Sequence, residues 1–259
     1  MTNQNITKID LQTGKKVYFA SDFHLGTPST EASFEREKKL IRWLDTIKHD
    51  AQIIFLVGDV YDFWFEYKYT IPKGFIRFQG KLAELADQGI KFYFFPGNHD
   101  LWMFDYYQKE LGATVSRNAM QFEIGSTKCF VAHGDGRGPG DTLHKLILKV
   151  FESKFFQWVF TIFPSDFSYW IANTWSKGSR ATNNIKDEQF LGENEWLWSY
   201  AKELERSQHH DFYIFGHRHL VLDLKVGKNS RYINLGDWLG YYTYAIFDGS
   251  EFTFTKFEG

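Results

Sequence analysis

The sequence predicts an α/β fold, because short strand-like runs alternate with helical patterns through its first half. Residues 17–20, 53–57 and 92–95 are β-branched or aromatic runs typical of buried strands. Between these runs, residues 31–48 and 75–88 carry apolar side chains at helical spacing. Strands joined by helical connections favour a parallel sheet.

The second half of the chain predicts β-hairpins and therefore mixed sheets. Residues 121–124 and 128–132 read as two strands joined by Gly125-Ser126-Thr127. Further strand-like runs occupy residues 220–226, 232–235, 241–247 and 252–257. With 259 residues, the chain is long enough to form one domain with a deep core. We therefore predict a single domain over residues 1–259.

Composition excludes several classes of protein. The formal net charge of −2 is too small to favour nucleic acid as a partner. The one cysteine, Cys129, excludes a disulfide framework and is expected in the core. Residues 1–5 have neither the basic nor the apolar part of a signal peptide, and no apolar run approaches the ~18 residues of a spanning helix. We expect a cytoplasmic protein.

Five short polar blocks carry the chemistry of the chain. They are Ser21-Asp22-Phe23-His24, Gly58-Asp59-Val60-Tyr61-Asp62, Gly97-Asn98-His99-Asp100, His133-Gly134-Asp135 and Gly216-His217-Arg218-His219. The first three blocks follow predicted strands, and the carboxyl ends of strands are where open α/β sheets place their sites. Seven residues of these blocks are candidate metal ligands: Asp22, His24, Asp59, Asn98, His133, His217 and His219.

The ligand types indicate a pair of divalent cations. Imidazole, carboxylate and amide groups without cysteine argue against a structural zinc site. Two cations about 3.5–4 Å apart can clamp the attacking and leaving oxygens of an in-line phosphoryl displacement. Asp59, in the middle of the set, is our choice for the shared carboxylate. Each block alone also fits an ordinary turn or helix cap, so the metal interpretation depends on all five occurring together.

The order of these blocks resembles the calcineurin-like metallophosphoesterases, over residues 17–238. Within that superfamily the chain is most similar to the UDP-2,3-diacylglucosamine hydrolases of lipid A biosynthesis. Residues 21–26, residues 58–64 and His133-Gly134-Asp135 with Asp141 carry the narrower resemblance. It implies a four-layer metallophosphoesterase sandwich, in which helices flank two mixed β-sheets, with a helical, aromatic-rich insertion.

The resemblance also implies roles for the blocks. Asp22, His24 and His219 would hold one metal ion with Asp59, while Asn98, His133 and His217 would hold the other with Asp59. The two ions are expected to be Mn²⁺. His99 would be the catalytic residue, which stabilises the phosphoryl oxygens or protonates the leaving group. Asp100 would orient His99 or a ligand histidine.

The insertion is expected at about residues 140–206, and residues 151–175 contain ten aromatic side chains. These aromatics either pack the insertion against the main domain or form a lid over acyl chains. The resemblance makes four residues candidates for substrate binding, namely Asn173, Lys177, Arg180 and Arg137, although the first three fit a solvated helix end equally well. For the lysine and arginines, the attraction is to the phosphates of the substrate.

Three functions fit these features of the sequence. The first is hydrolysis of the diphosphate of UDP-2,3-diacylglucosamine, which implies peripheral contact with the cytoplasmic face of the bacterial inner membrane. The second is a soluble phosphodiesterase or nucleotide phosphatase. His99 favours the second, because the better-known lipid A hydrolases have arginine there. The third is a scaffold without catalysis, and the complete ligand set argues against it.

Overall fold

A computed structural model of the protein describes residues 6–139, 142–170, 174 and 189–259. In chain order its elements are β1 (Thr7–Ile9), β2 (Lys16–Ala20), α1 (Thr30–Ile47), β3 (Ala51–Leu56), α2 (Ile76–Asp87), β4 (Lys91–Phe94), α3 (Tyr106–Leu111), β5 (Thr114–Val115), β6 (Met120–Ile124), β7 (Thr127–Val131), α4 (Thr142–Glu152), α5 (Lys154–Ile162), α6 (Trp196–Ser207), β8 (Phe212–Phe215), β9 (Val221–Lys225), β10 (Arg231–Leu235), β11 (Thr243–Phe247) and β12 (Phe252–Lys256). A 3₁₀ turn, Gly192–Asn194, precedes α6, and residues 165–170 are also helical. The strands and helices expected from the sequence pattern are all present.

The strands form two mixed six-stranded sheets. One sheet has the order β1-β6-β7-β8-β10-β9 and the other has the order β12-β11-β2-β3-β4-β5. In the second sheet β2, β3, β4 and β5 run parallel, as the alternating strands and helices predict. In the first sheet β6 and β7 form the expected antiparallel hairpin, while β7, β8 and β10 run parallel to one another.

Helices cover the outer faces of both sheets, so the fold has four layers. Between the sheets lies a core that includes Phe19, Phe55 and Val131. Cys129 is buried in this core, as expected. On the outer face of the second sheet, α1, α2 and α3 bury a larger cluster around Trp43. The first sheet is covered by α6. The four-layer metallophosphoesterase sandwich is confirmed.

Helix α1 shows how local sequence sets one of these layers. The side chain of Ser29 accepts a hydrogen bond from the Ala32 amide at 3.2 Å, which caps the first turn. Farther along, Leu40, Trp43 and Leu44 lie at helical spacing and are fully buried against the sheet. The cap therefore sets where the helix begins, and the apolar face sets which side is buried.

Several elements escape the sequence pattern. Strands β1 and β5 have only three and two residues, too few to show an alternation. Strand β8 is a continuous run of four apolar residues buried on both faces, and such a run does not distinguish a strand from a helix. This strand leads directly into the Gly216-His217-Arg218-His219 block.

The helices of the insertion region differ in how much of their surface is buried. Leu197 and Ala201 of α6 are fully buried against the first sheet, so the end of the expected 140–206 range is part of the main sandwich. Leu148 of α4 is buried beside Trp102. By contrast, α5 has no buried residue. Within the described ranges, each helix is too short or too polar to span a bilayer.

Candidate metal centre

The seven candidate ligands lie together because each follows a strand at the same edge of the sandwich. Asp22, Asp59 and Asn98 follow β2, β3 and β4, His133 follows β7, and His217 and His219 follow β8. The loops are also bonded to each other: the Asp22 amide donates to the Gly58 carbonyl at 3.0 Å, and the Gly216 amide donates to the His133 carbonyl at 3.0 Å. The five blocks thus form one site.

One group of ligands consists of Asp22, His24 and His219, whose donor atoms lie within 4.8 Å of one another. His219 Nε2 is 3.4 Å from Asp22 Oδ1 and 3.1 Å from His24 Nε2. A second group consists of Asp59, His133 and His217. The Oδ2 atom of Asp59 is 3.4 Å from His133 Nε2 and 3.8 Å from His24 Nε2. One carboxylate therefore reaches both groups, which suits the shared position chosen for Asp59.

The donor atoms fit a pair of cations. Among the described residues, Asp22 Oδ1, Asn98 Oδ1 and His133 Nε2 are buried and have no hydrogen-bond partner. Buried polar atoms are otherwise almost always bonded, so such a set fits atoms that coordinate a cation. The mixture of carboxylate, amide and imidazole is also the mixture that divalent metal ions bind.

The electrostatics of the site point the same way. Burial lowers the pKa of His24, but Asp22 and Asp62 raise it to about 10. Burial also lowers the pKa of His133, but Asp59 raises it to about 10. Protons on these imidazoles balance the buried carboxylates when no cation is bound. Divalent cations would take over that role and release the protons, because a histidine ligand binds in its neutral form.

Five of the seven candidate ligands have a left-handed backbone. Their φ angles are 56° at Asp22, 45° at His24, 49° at Asp59, 69° at His217 and 50° at His219. Residues other than glycine rarely adopt such angles, and each instance costs on the order of 1–3 kcal/mol. Strained backbone of this kind is concentrated at functional sites, and here it turns the side chains toward a common centre.

Two glycines make room for the ligands. A Cβ atom on Gly97 would lie 2.2 Å from Asp59 Oδ1 and 2.6 Å from His133 Nε2. A Cβ atom on Gly58 would lie 2.0 Å from His133 Nδ1. Both distances are far inside van der Waals contact, so any larger residue at these positions would displace the His133 ring or the Asp59 carboxylate.

Outer partners fix the direction of the ligand rings. The His133 Nδ1–H donates to the Val57 carbonyl at 2.9 Å, which leaves Nε2 to face the site. His219 Nδ1 is 3.3 Å from Asp237 Oδ2, and its Nε2 faces Asp22. Asp237 was not among the residues selected from the sequence. A signal was present, because Gly236-Asp237 follows strand β10 as Gly58-Asp59 follows β3.

Replacing Asp237 by asparagine is expected to weaken Mn²⁺ binding by about 10–100-fold, the usual effect of losing an outer partner of a ligand histidine. An asparagine keeps the Oδ1 acceptor for the amides of Leu239, Gly240 and Tyr241 but presents an NH₂ group to His219. Calorimetric titration of the metal-free protein measures the effect.

Asp248→Asn is the matched control, because the Asp248 carboxylate also caps a turn by accepting amides two and three residues ahead. It should bind Mn²⁺ like the wild-type protein. Wild-type Mn²⁺ affinity in the Asp237 variant would show that Asp237 does not support the metal centre.

Asp100 has a different task from the one expected. Its Oδ2 atom accepts the Val60 amide at 2.8 Å, and its Oδ1 atom accepts the Gly97 amide at 2.7 Å. It therefore holds the backbone of the Asp59 and Asn98 loops together, and among the described residues it has no hydrogen bond to a histidine. Burial, with the charge of Asp59, raises the pKa of Asp100 to about 7.

His99 lies at the centre of the site. Its amide donates to Asp59 Oδ1 at 2.9 Å, and its ring Nδ1–H donates to the Asp62 carbonyl at 3.1 Å. The His99 and His24 rings are 4.9 Å apart. Burial lowers the pKa of His99, although Asp59 opposes the shift. With Nδ1 donating, Nε2 is the second ring atom able to form a hydrogen bond.

The structure describes only one of the four residues chosen for substrate binding. Arg137 is partly buried, and its guanidinium donates to the Tyr200 hydroxyl of α6 at 3.3 Å. Asn173, Lys177 and Arg180 lie outside the described residues.

Comparison with known proteins agrees with this geometry. The model of the calcineurin-like phosphoesterase family matches residues 15–221, which include all seven candidate ligands. The chain belongs to the calcineurin-like phosphoesterase family. Asp237 lies beyond the matched range.

Relatives of this phosphoesterase share most of their length with it. A UDP-2,3-diacylglucosamine hydrolase of Porphyromonas gingivalis is 38% identical, over 94% of this chain and 98% of the relative. Proteins of the same name from Vibrio parahaemolyticus and Haemophilus influenzae are 27% and 24% identical, over 85% and 93% of this chain and 89% and 99% of their own length.

Proposed function

We propose that this phosphoesterase hydrolyses the diphosphate of UDP-2,3-diacylglucosamine to UMP and 2,3-diacylglucosamine 1-phosphate in lipid A biosynthesis. The observation that carries the proposal is the 38% identity to a hydrolase of that substrate along 94% of the chain. The exposed apolar helix beside the metal centre provides independent support, because a nucleotide substrate without acyl chains would not need it.

Two divalent cations, Mn²⁺ by preference, belong to the proposal. Asp22, His24 and His219 would hold one ion, and Asn98, His133 and His217 would hold the other, with Asp59 shared by both. When bound, the ions supply Lewis acidity to the phosphoryl oxygens and to the attacking water. The imidazole-rich ligand set suits Mn²⁺ better than Mg²⁺, which prefers oxygen ligands.

The chain's own groups position the reaction. The His99 Nδ1–H donates to the Asp62 carbonyl and its amide donates to Asp59, so the ring is held at two points beside the ligands. Its Nε2 atom is the group we assign to the phosphoryl oxygens or to the leaving oxygen. Asp100 keeps the loops of Asp59 and Asn98 at a fixed separation.

The aromatic residues of the insertion divide into two sets. Phe160 packs on the rim of the site, with ring centroids 4.6 Å from Trp102 and 5.0 Å from Phe65. Phe155 and Trp158, on the same helix α5, are 62% and 60% exposed. Packing against the main domain therefore explains Phe160 and leaves the other face of α5 without a protein partner among the described residues.

That exposed face is our candidate for contact with acyl chains and with the membrane surface. Leu146, Phe156, Ile162, Phe163, Phe167 and Trp170 are also exposed in the same region. A group of exposed large apolar side chains is typical of a ligand or membrane site. We place the protein at the cytoplasmic face of the inner membrane as a peripheral protein, with the insertion as a lid over the acyl chains.

Parallel assays with Mn²⁺ on UDP-2,3-diacylglucosamine and on a soluble nucleotide diester test the proposed function. Release of UMP from the lipid-linked substrate, with a much higher kcat/KM than for the diester, is the expected result. The reverse preference would support the soluble phosphodiesterase or nucleotide phosphatase, the alternative that His99 favours.

Polar substitution of the exposed aromatics is expected to separate binding of the two substrates. Phe155→Ser with Trp158→Ser should raise KM for the acylated substrate several-fold or more, because each buried methylene contributes about 0.8 kcal/mol. KM for the soluble diester should not change. Steady-state kinetics on both substrates, with detergent held constant, measure the difference.

Ile76→Ser provides the matched control, since Ile76 is 73% exposed but lies on α2, away from the insertion. It should leave both KM values unchanged. If the aromatic substitutions changed KM equally for both substrates, the exposed face would have no role in binding the acyl chains.

A further inference from the structure

Arg218 stands between two candidate ligands, His217 and His219, and its side chain leaves the metal centre altogether. It is fully buried, and so is its partner Glu195. Arg218 Nε donates to Glu195 Oε1 at 2.8 Å, and Nη2 donates to Glu195 Oε2 at 3.2 Å. This is a two-bond fork, the geometry in which arginine fixes a carboxylate in both position and angle.

Two further contacts of the guanidinium are made with the same part of the chain. Its Nη2 atom donates to the Gln189 carbonyl at 2.9 Å, and the group lies 4.1 Å from the centre of the Trp196 ring. Gln189, Glu195 and Trp196 all belong to the segment that returns from the insertion to α6. The ligand loop after β8 is therefore tied to the returning end of the insertion.

The backbone around Arg218 explains why such a tie is useful. His217 and His219 have φ angles of 69° and 50°, and the Arg218 amide donates to the Gly216 carbonyl at 2.8 Å in a tight turn. A loop with two left-handed residues in three is strained, and it persists only where its surroundings hold it. The His217 amide is held by Asp22 Oδ2 at 3.0 Å, while the Arg218 side chain holds the middle of the loop through Glu195.

A buried ion pair is a poor means of stabilising a fold, because replacing both partners by apolar residues is often neutral or favourable. It is a good means of fixing one geometry. We propose that Arg218, through Glu195, is a positioning residue that sets His217 and His219 for metal binding and couples that loop to the insertion. The proposal rests on the metal pair of the proposed function and not on the identity of its substrate.

Coupling between two parts of a protein is reciprocal. If Arg218 links the ligand loop to residues 189–199, then metal binding should order that segment, and loss of the fork should weaken metal binding. Both effects are measurable on the whole chain without any turnover, first freed of metal by a chelator and then titrated with Mn²⁺.

The test uses Arg218→Met, the double variant Arg218→Met with Glu195→Leu, and Arg231→Met as the matched control. Arg231 forms a similar fork with Asp223, but that pair is partly exposed and lies on strands β10 and β9. The double variant removes the buried charges together, so it is expected to fold even if Arg218→Met alone does not.

We expect Arg218→Met and the double variant to bind Mn²⁺ about 10–100-fold more weakly, as for other outer partners of ligand histidines. Arg231→Met should match the wild-type protein. In hydrogen exchange followed by mass spectrometry, Mn²⁺ should slow exchange in residues 189–199 of the wild-type and Arg231→Met proteins but not of the double variant.

Wild-type affinity in the double variant would overturn the proposal, because packing alone would then suffice. Unchanged exchange in residues 189–199 of the wild-type protein, despite bound Mn²⁺, would overturn the coupling. A wild-type protein that binds no Mn²⁺ would instead contradict the metal pair of the proposed function.

Discussion

Substituting Asp59 by alanine is expected to abolish turnover and to remove bound metal, while the protein stays folded. The Asp59 carboxylate lies near both clusters of ligands, at 3.4 Å from His133 Nε2 and 3.8 Å from His24 Nε2. Its loss removes a negative charge from both metal positions at once. Elemental analysis of the purified protein and an assay with added Mn²⁺ measure the two effects.

His133→Ala should have a similar but less complete effect, because His133 belongs to only one of the two clusters. Asp223→Asn, at a carboxylate on β9 paired with Arg231, should keep full metal content and activity. Near-normal turnover of the Asp59 variant in the presence of Mn²⁺ is incompatible with a two-metal centre at these residues.

His99→Ala is expected to lower kcat by about 10²–10⁴-fold and to keep both metals, the result typical of a positioned proton-transfer group. The structure supports this separation, because the contact between His99 and Asp59 is made by the backbone amide and survives the substitution. The ring's own hydrogen bond goes to the Asp62 carbonyl.

The measurement pairs kcat with metal content. The donor atoms of His99, His24 and Asp59 also lie within 4.8 Å of one another, so a role for His99 as a ligand has a geometric basis. Loss of metal as severe as in the Asp59 variant would assign His99 to the ligands. His209→Ala, at an exposed histidine paired with Glu205, is the matched control for removing an imidazole.

The fold class and the candidate ligands could be read from the sequence because they depend on local patterns. The Asp59 and Asn98 blocks come directly after continuous apolar runs typical of buried strands, and carboxylate, amide and imidazole side chains are recognisable as candidate metal ligands from the sequence alone. The α/β class followed from strands and helices whose apolar faces are regular, such as that of α1, while the four layers were implied by the family resemblance.

The supporting residues were not predictable in the same way, because their roles depend on contacts between distant parts of the chain. Arg218 and Glu195 are 23 residues apart, and nothing near either residue signals a partner. Asp100 shows the same limit, since its acidic side chain beside His99 suggested a bond to an imidazole. The structure places it against backbone amides of two loops.

The left-handed backbone at five of the ligands restricts the redesign of this centre. Besides glycine, the residues that tolerate such angles best are asparagine, aspartate and histidine. All five left-handed ligands are aspartate or histidine. Branched or bulky donors such as threonine would be strained there whatever metal they suited. An engineer who wanted another metal selectivity would therefore have to work at Asn98 and His133, the two candidate ligands outside the left-handed set, or rebuild the loops.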